Sequence, residues 1–489
     1  MSVASAVHPS RPLPRWPYWL IFALSLAASL VIYIAIFFIP AGLVQWLDRP
    51  LLSLYHLDLA YPGLQTQMIA AFAALALLNA AGYWAVRRLQ GPAAWALVLI
   101  GALGFALILL YIYPFGAADI FDNIVHGRIL GVYGDNPFLN LAAEYPTDPF
   151  YNYMWWHKSP SAYGPLWELL AGLTAFLAGN GLVSNVIAFK LLPGFFWLGS
   201  TVLLALTLRR HNPDRALPYT LLWAWNPVVL FETFGNGHND IVMAFFVLAA
   251  GCAMLRRQFV PAILALAAGI LIKFVPALLV PPALVAVWRL LPDLRSRLRT
   301  FALGGGLSVL LAVACYAPFF TDFDHFYLAH QQTLFTASLP AVLYQMLTTW
   351  FHLPGAAAGV AALAWGATGG MVLVQSIRLW HQPSETGVVQ AAFAILMFFL
   401  LLTCTWFQPW YTLWVFGLGL LLSQESLAAA LVLVFATRTK PLLLVPMTYW
   451  VRPFPPQPWL EIQLALGILG VPLLFTLVIL RFRKMPVEK

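Results

Sequence analysis

Residues 93–130 read AAWALVLIGALGFALILLYIYPFGAADIFDNIVHGRIL, and the change of character within this stretch decides the fold. Its first part, 93–113, is apolar throughout and long enough to cross a bilayer as a helix, since about 20 helical residues span the hydrocarbon core. Its second part begins a polar segment that continues to Pro165. Apolar runs of similar length recur along the chain, so the sequence predicts an all-α, polytopic transmembrane helical bundle of about 12–14 spans.

Composition supports a membrane protein. Of the 489 residues, 62% are hydrophobic and 9% are charged, whereas about a quarter of the residues in a soluble domain are charged. We therefore treat residues 1–489 as a single transmembrane domain. The net charge of +8 is explained by Lys and Arg in cytoplasmic loops. No basic groove with interleaved aromatic residues is evident, so we expect no nucleic-acid partner.

The distribution of basic residues predicts the topology. Basic clusters follow alternate apolar runs, at Arg87-Arg88, 209–215 and Arg256-Arg257. Such clusters mark the cytoplasmic side, so we expect 114–183 and 321–354 to be extracytoplasmic loops and both termini to be cytoplasmic. The predicted spans are 17–39, 64–86, 93–113, 184–208, 216–234, 238–255, 259–272, 274–291, 301–320, 355–377, 387–405, 410–423, 426–448 and 461–480.

The loop 114–183 concentrates ionisable side chains and contains two predicted interfacial helices. Residues 165–178 are too few to cross a bilayer and should form an interfacial or re-entrant helix. Residues 118–130 form an amphipathic pattern whose isoleucines could lie on the membrane. Asp119, Asp122 and His126, spaced i, i+3 and i+7, would share one face of that helix. A carboxylate here can act as a general base, although a solvated helix end or a divalent-metal site would also account for the pattern.

Other polar residues interrupt apolar runs. Residues 236–240, NGHND, form a hairpin tip, where turn formation and helix capping explain some of the side chains but not His238. Lys273 lies between two apolar runs and needs a lipid phosphate or a carboxylate as partner. Gln408, Trp410 and Tyr411 could bind a headgroup or a saccharide, while the two aromatic residues equally fit an interfacial belt.

Taken in order, these motifs resemble the GT-C superfamily of membrane glycosyltransferases, in particular bacterial polyprenol-phosphate-mannose-dependent mannosyltransferases. The resemblance covers roughly residues 93 to 420. Two spans precede the one that leads into the loop, where the simplest members have one. Asp119 is also not followed at once by a second acid, as it is in many members, which leaves the role of Asp122 open. The matching segments are Asp119 with Gly134-Asp135-Asn136-Pro137, Tyr163-Gly164-Pro165-Leu166, Asn226-Pro227, Gly235–Asp240, Lys273 and Gln408–Trp414.

This resemblance implies an enzyme of the bacterial plasma membrane. It would move a hexose, mannose by analogy, from a polyprenyl-phosphate donor to a lipid or glycan acceptor on the extracytoplasmic face, with inversion and without a metal or other cofactor. Asp119 would be the base, with Asp122 as second catalytic candidate, and Lys273 and Arg128 would bind the donor phosphate. The substrate-binding candidates are His126, Tyr163, Asn236, His238, Asn239, Asp240, Gln408, Trp410 and Tyr411.

Two other functions fit the same pattern of spans. A transporter or flippase of a lipid-linked or small solute would have polytopic helices, but transporters often show matching halves with broken helices, and none are recognisable here. A ligase that joins a whole lipid-linked oligosaccharide to an acceptor would share the fold class and the topology.

Overall fold

The computed structural model describes residues 15–89, 91–320, 334–438 and 457–482, which form helices and connecting loops without a β-strand. The prediction of an all-α polytopic bundle is confirmed. Five shorter apolar helices are Pro165–Ala178, Asp240–Leu255, Phe259–Ile270, Val275–Leu290 and Gln424–Ala436. Eight helices of the described residues are long and apolar enough to cross a membrane: Trp16–Ala41, Leu64–Val86, Pro92–Leu110, Leu182–His211, Leu294–Phe319, Ala356–His381, Glu385–Thr403 and Pro458–Val478.

Further helical segments connect or flank these helices. One of them lies in the predicted second extracytoplasmic loop, of which residues 321–333 fall outside the described residues. Two predicted elements, 64–86 and 165–178, have the boundaries seen in the structure. The connecting segments are Leu54–Ala60, Asp119–Gly131, Pro213–Ala224, Pro227–Leu230, Phe231–Gly235, Leu339–Thr349, Pro409–Thr412 and Leu413–Leu420.

Two predicted spans are wrong in detail. The span 216–234 is broken after Ala224. Pro227 has no amide hydrogen to bond the preceding turn, and the Asn226 side chain caps a new helix by accepting from the Val228 and Val229 amides at 3.0 and 3.2 Å. The span 426–448 ends as a helix at Ala436. Its remaining residues, from 439 onward, lie outside the described part of the chain.

The core of the bundle lies around the broken segment. Every residue from 216 to 244 is buried, whereas only 11% and 17% of the most apolar windows of Leu294–Phe319 and Ala356–His381 are buried. The polar tip 236–240 is therefore enclosed by protein on all sides.

Residues Asp119–Gly131 form the predicted helix, here called the loop helix. It does not lie on the membrane through its isoleucines, because Ile120, Ile124 and Ile129 are buried inside the protein. It packs instead against Pro165–Ala178, the interfacial helix, along a seam of glycines. A Cβ on Gly127 would come within 2.6 Å of the Ala171 carbonyl oxygen, and one on Gly131 would overlap the Gly172 carbonyl. The two backbones are thus in direct contact.

Candidate functional site

Asp119 begins the loop helix and lies at the edge of a buried polar group. Its side chain is 30% exposed, whereas that of His238, whose Nδ1 is 3.9 Å from Asp119 Oδ2, is 2% exposed. Just before the helix, the Gly116 amide donates to Asn236 Oδ1 at 3.1 Å. This hydrogen bond ties the start of the loop helix to the 236–240 turn.

Behind His238 lies a buried ion pair. Glu232 Oε2 is 3.3 Å from His238 Nε2, and Glu232 Oε1 accepts a hydrogen bond from Arg438 Nη2 at 2.6 Å. Asn236 Nδ2 also donates to Glu232 Oε2, at 2.8 Å. A buried carboxylate is tolerated only when it is paired, and here Arg438 pairs with it. Trp410 stacks on the imidazole with centroids 3.8 Å apart and planes 18° apart, which fixes the ring.

A second ion pair joins the same turn to Lys273. The ammonium donates to Asp240 Oδ2 at 2.7 Å, and Trp414 Nε1 donates to Asp240 Oδ1, also at 2.7 Å. Lys273 Nζ lies 5.0 Å from the ring centroid of Tyr163 and 5.4 Å from that of Tyr411, within the range of cation–π attraction. Of the two partners expected for Lys273, a lipid phosphate or a carboxylate, the structure shows the carboxylate of Asp240.

We call Asp119, Glu232, His238, Asp240, Lys273 and Arg438 the site group. Gln408 and Asn239 lie buried at the edges of the elements that form it. Gln408 precedes the turn Pro409–Thr412, and Asn239 precedes the helix Asp240–Leu255. Most substrate-binding candidates are therefore in one place.

Asp122 lies near Asp119 on the loop helix but is hydrogen-bonded to the loop at 155–156. Its Oδ1 accepts hydrogen bonds from the Trp155 and Trp156 amides at 3.1 and 3.0 Å, and the residue is 6% exposed. Burial raises the pKa of Asp122 to about 7, against the opposing effect of these hydrogen bonds. These hydrogen bonds hold the loop at 155–156. Although Asp119 and Asp122 share one face of the helix, their carboxyl groups therefore have different neighbours.

Arg128 is also engaged elsewhere. It donates to Asp148 Oδ2 at 2.7 Å, to the Gly179 carbonyl at 2.8 Å and to Asn180 Oδ1 at 3.0 Å, and it is 2% exposed. The structure does not bring it to the site group, where a phosphate ligand would be needed. A guanidinium with these partners joins the loop helix to the segment that follows the interfacial helix.

His126 faces the loop rather than the site group. Its Nε2 lies 3.4 Å from the Ser159 carbonyl oxygen, and burial lowers its pKa to about 4. The structure does not gather Asp119, Asp122 and His126 into a metal site: within residues 15–89, 91–320, 334–438 and 457–482, no three His, Cys, Asp or Glu side chains are placed to hold an ion.

Sequence reasoning missed Glu232, Arg438 and Trp414 as members of the site. Glu232 lies in the buried segment Phe231–Gly235 within an apolar stretch, and an acid in such a stretch is a signal because it needs a partner. Arg438 gives the same signal, because it lies within the predicted span 426–448, but the 206 residues between it and Glu232 hid their pairing.

Comparison with known proteins gives one family. Residues 23–290 match the family of alpha-(1->6)-mannopyranosyltransferases, N-terminal domain. Alpha-(1->6)-mannopyranosyltransferase A of Mycobacterium tuberculosis is 28% identical over 172 residues, which are 33% of this chain and 32% of that protein. The protein of the same name from Corynebacterium glutamicum is 24% identical over 180 residues, 35% of each chain. The chain thus aligns with about a third of the length of these relatives.

Proposed function

This chain belongs to the alpha-(1->6)-mannopyranosyltransferase family, and on that premise we propose that it is a membrane mannosyltransferase with Asp119 as its base. The donor is a mannosyl polyprenyl phosphate, the acceptor is a hydroxyl of a lipid or glycan, and transfer takes place at the extracytoplasmic face. The proposal rests on one observation. Asp119, a partly exposed carboxylate at the start of the loop helix, lies beside His238 in a group of buried side chains whose charges are paired.

The chemistry needs one base. Asp119 accepts the proton of the acceptor hydroxyl while the oxygen of that hydroxyl forms a bond to the anomeric carbon. The bond between that carbon and the phosphate oxygen breaks on the opposite side, and the phosphate leaves with the electron pair. Because a phosphate leaves without being protonated, the second carboxyl group that most glycosidases use is not required. Attack opposite the leaving group inverts the anomeric configuration.

Lys273 is the best-placed cation for the departing phosphate. It lies beside the 236–240 turn, and its one hydrogen bond within the described residues goes to Asp240. Its remaining N–H groups can donate to a phosphate oxygen as charge develops there. The rings of Tyr163 and Tyr411 beside Lys273, and that of Trp410 on His238, are suited to contact a sugar. Arg128 and Asp122 have structural roles in this proposal.

The test is transfer of labelled mannose by the purified protein in nanodiscs. The donor is polyprenyl phosphate carrying radiolabelled mannose, the acceptor is a lipid extract of the host membrane, and GDP-mannose and polyprenyl-phosphate glucose serve as comparison donors. Label that reaches an acceptor from the mannosyl lipid only, and that is lost in Asp119→Asn, supports the proposal. Transfer from GDP-mannose alone would contradict the proposed donor.

Sealed proteoliposomes separate the enzyme from the transporter and test the face. Donor and acceptor are supplied on one side at a time, and the orientation of the protein is measured by cysteine labelling at Asn140, with Arg297 as the opposite-face control. Movement of mannosyl lipid across the bilayer without formation of a glycoside would favour the transporter. Transfer confined to the face that exposes Arg297 would overturn the proposed orientation.

A further inference from the structure

We propose that His238 is a positioning residue that takes the proton from Asp119 once the glycosidic bond has formed. Glu232 and Arg438 would hold its imidazole in the tautomer that can accept a proton. This inference rests on the proposed function, because it assigns the base to Asp119.

The tautomer follows from the two neighbours of the ring. Nε2 lies 3.3 Å from a carboxylate oxygen of Glu232. It therefore carries the hydrogen, in a contact of ion-pair length rather than an aligned hydrogen bond. In the neutral ring the lone pair is then on Nδ1, which faces Asp119 Oδ2 at 3.9 Å. Such contacts are often long in ligand-free sites and shorten when the substrate binds.

The ring is fixed in this orientation from several sides. Trp410 covers its face, and the backbone amide of His238 donates to the Glu232 carbonyl at 3.0 Å. Gly237 has φ of 72°, and a Cβ there would lie 2.5 Å from Ile120, so only glycine fits between Asn236 and His238. A neutral imidazole held in one tautomer by a carboxylate is the arrangement by which proton-accepting histidines work.

Several charged groups surround the imidazole of His238. Arg438 pairs with Glu232, so Glu232 stays a negatively charged neighbour of Nε2 and does not itself take the proton. Lys190, although packed against Gly237, directs its ammonium to the carbonyls of 109, 110 and 112. The charged or titratable groups near His238 are Asp119, Glu232, Arg438, the pair Asp240 and Lys273, Lys190, Tyr163 and Tyr411.

The proton balance closes over one turnover. The acceptor hydroxyl gives its proton to Asp119 as the new C–O bond forms and the phosphate leaves. Asp119 Oδ2 then passes the proton to His238 Nδ1 while the products still cover the carboxylate. The imidazolium is balanced by Glu232. When the products leave, the proton returns through the exposed edge of Asp119 to water, and both groups are restored.

The first experiment is a pH profile of turnover for His238→Gln. A ring that is already protonated cannot accept the proton from Asp119, so turnover of the wild-type protein should fall on the acidic side of the profile. The variant should lose that limb and be about 10- to 100-fold slower at its plateau, with an unchanged KM for the donor. His157→Gln is the matched control, since His157 lies in the loop and contacts the Tyr151 carbonyl at 2.8 Å. Its profile should remain that of the wild type.

The second experiment uses the two charges behind the ring, which should act in opposite directions. Glu232→Gln removes the charge that stabilises the imidazolium, so the acidic limb should move to lower pH. Arg438→Gln removes the cation that offsets the charge of Glu232, so the imidazolium is stabilised more and the limb should move to higher pH. If His238 only packs the site, each variant lowers turnover equally at every pH, and the proposal is wrong. If Glu232→Gln does not fold, the pH profiles of Arg438→Gln and His238→Gln still test whether His238 accepts the proton.

The two proposals fail in different ways. If Asp119→Asn transfers mannose at the wild-type rate, the base is misassigned and the proposed function fails with it. If Asp119→Asn is inactive but His238→Gln keeps the acidic limb, the base stands and the proton-accepting role of His238 is overturned. All variants are compared per folded molecule, measured by size-exclusion chromatography.

Discussion

Two ion pairs of the same length differ in what surrounds them. Lys273 with Asp240, and Arg128 with Asp148, are both 2.7 Å apart and mostly or wholly buried. Arg128 donates to three acceptors from three different nitrogen atoms. Lys273 has one hydrogen bond within the described residues and otherwise faces two tyrosine rings.

The comparison teaches that the length of an ion pair does not identify a functional cation. All three nitrogen atoms of the Arg128 guanidinium are held by protein acceptors, so turning the group toward a further anion would weaken those hydrogen bonds. An ammonium with N–H groups that make no hydrogen bond within the described residues retains the capacity to bind a ligand. The comparison therefore predicts a loss of stability for changes to the Arg128 pair and a loss of transfer for changes to the Lys273 pair.

The largest effect is expected from Asp119→Asn, the carboxylate beside the Lys273 pair. It keeps the shape of the side chain and removes its basicity, so turnover should fall by about two to four orders of magnitude. Donor binding should change little, because the phosphate is held elsewhere. Single-turnover transfer and donor affinity in nanodiscs measure both effects. If this variant transfers mannose at the normal rate, the comparison no longer identifies the region of the Lys273 pair as functional.

The next effect is on stability. Arg128→Met leaves Asp148 buried without its cation, which should destabilise the fold by about 3–5 kcal/mol. The double variant Arg128→Met with Asp148→Asn should recover most of the loss, since no charge is left unpaired. Thermal unfolding in detergent measures both, and transfer per folded molecule should be unchanged. If transfer is lost in the double variant although the protein folds, Arg128 acts on the substrate after all.

Lys273→Gln should act on transfer. Removing one charged donor from a developing phosphate should lower turnover by about 100-fold. The matched double variant, with Asp240→Asn, removes the unpaired carboxylate and should restore stability without restoring transfer. The measurement is kcat beside the melting temperature for the single and double variants. If the double variant regains transfer, the Lys273 pair has only a structural role, as the Arg128 pair does.

The smallest effect is expected from Asp122→Asn, which should change transfer by less than about tenfold. Its pKa is raised from 3.8 to about 7, so the folded wild-type protein loses stability as the pH rises from about 4 to about 7. The variant lacks that loss, and its gain in melting temperature over the wild type should grow across the same window. Melting temperatures at pH 4.5 and 7.5 measure this gain. A constant difference would show that the carboxyl group is not the cause.

His126 gives the opposite sign and must be separated from Asp122. Its pKa is lowered from 6.5 to about 4, so it costs stability as the pH falls through that range. The difference between Asp122→Asn and the wild type cancels this contribution, because His126 is present in both. A His126→Gln background checks the cancellation.

Local signals decided what the sequence could predict. Apolar length predicted the helices 64–86 and 165–178, and a charge between apolar runs predicted that Lys273 has a partner. Asp119 and Asp122 could not be separated by spacing, because their difference lies in the amides of 155–156, which approach only Asp122. Arg128 looked like a phosphate ligand because Asp148, its partner, lies in a distant part of the loop.

The glycine seam between the loop helix and the interfacial helix has a mechanical consequence. The loop helix would pivot at Gly127, which lies roughly 6 Å along the helix from Gly131 and roughly 12 Å from Asp119. A methyl group at Gly131 would overlap the Gly172 carbonyl. A push of about 1 Å there would swing the Asp119 end by about twice as much, and a 1 Å misplacement can cost about 100-fold in rate. We therefore expect a methyl group at Gly131, far from the chemistry, to displace Asp119 at the other end of the loop helix.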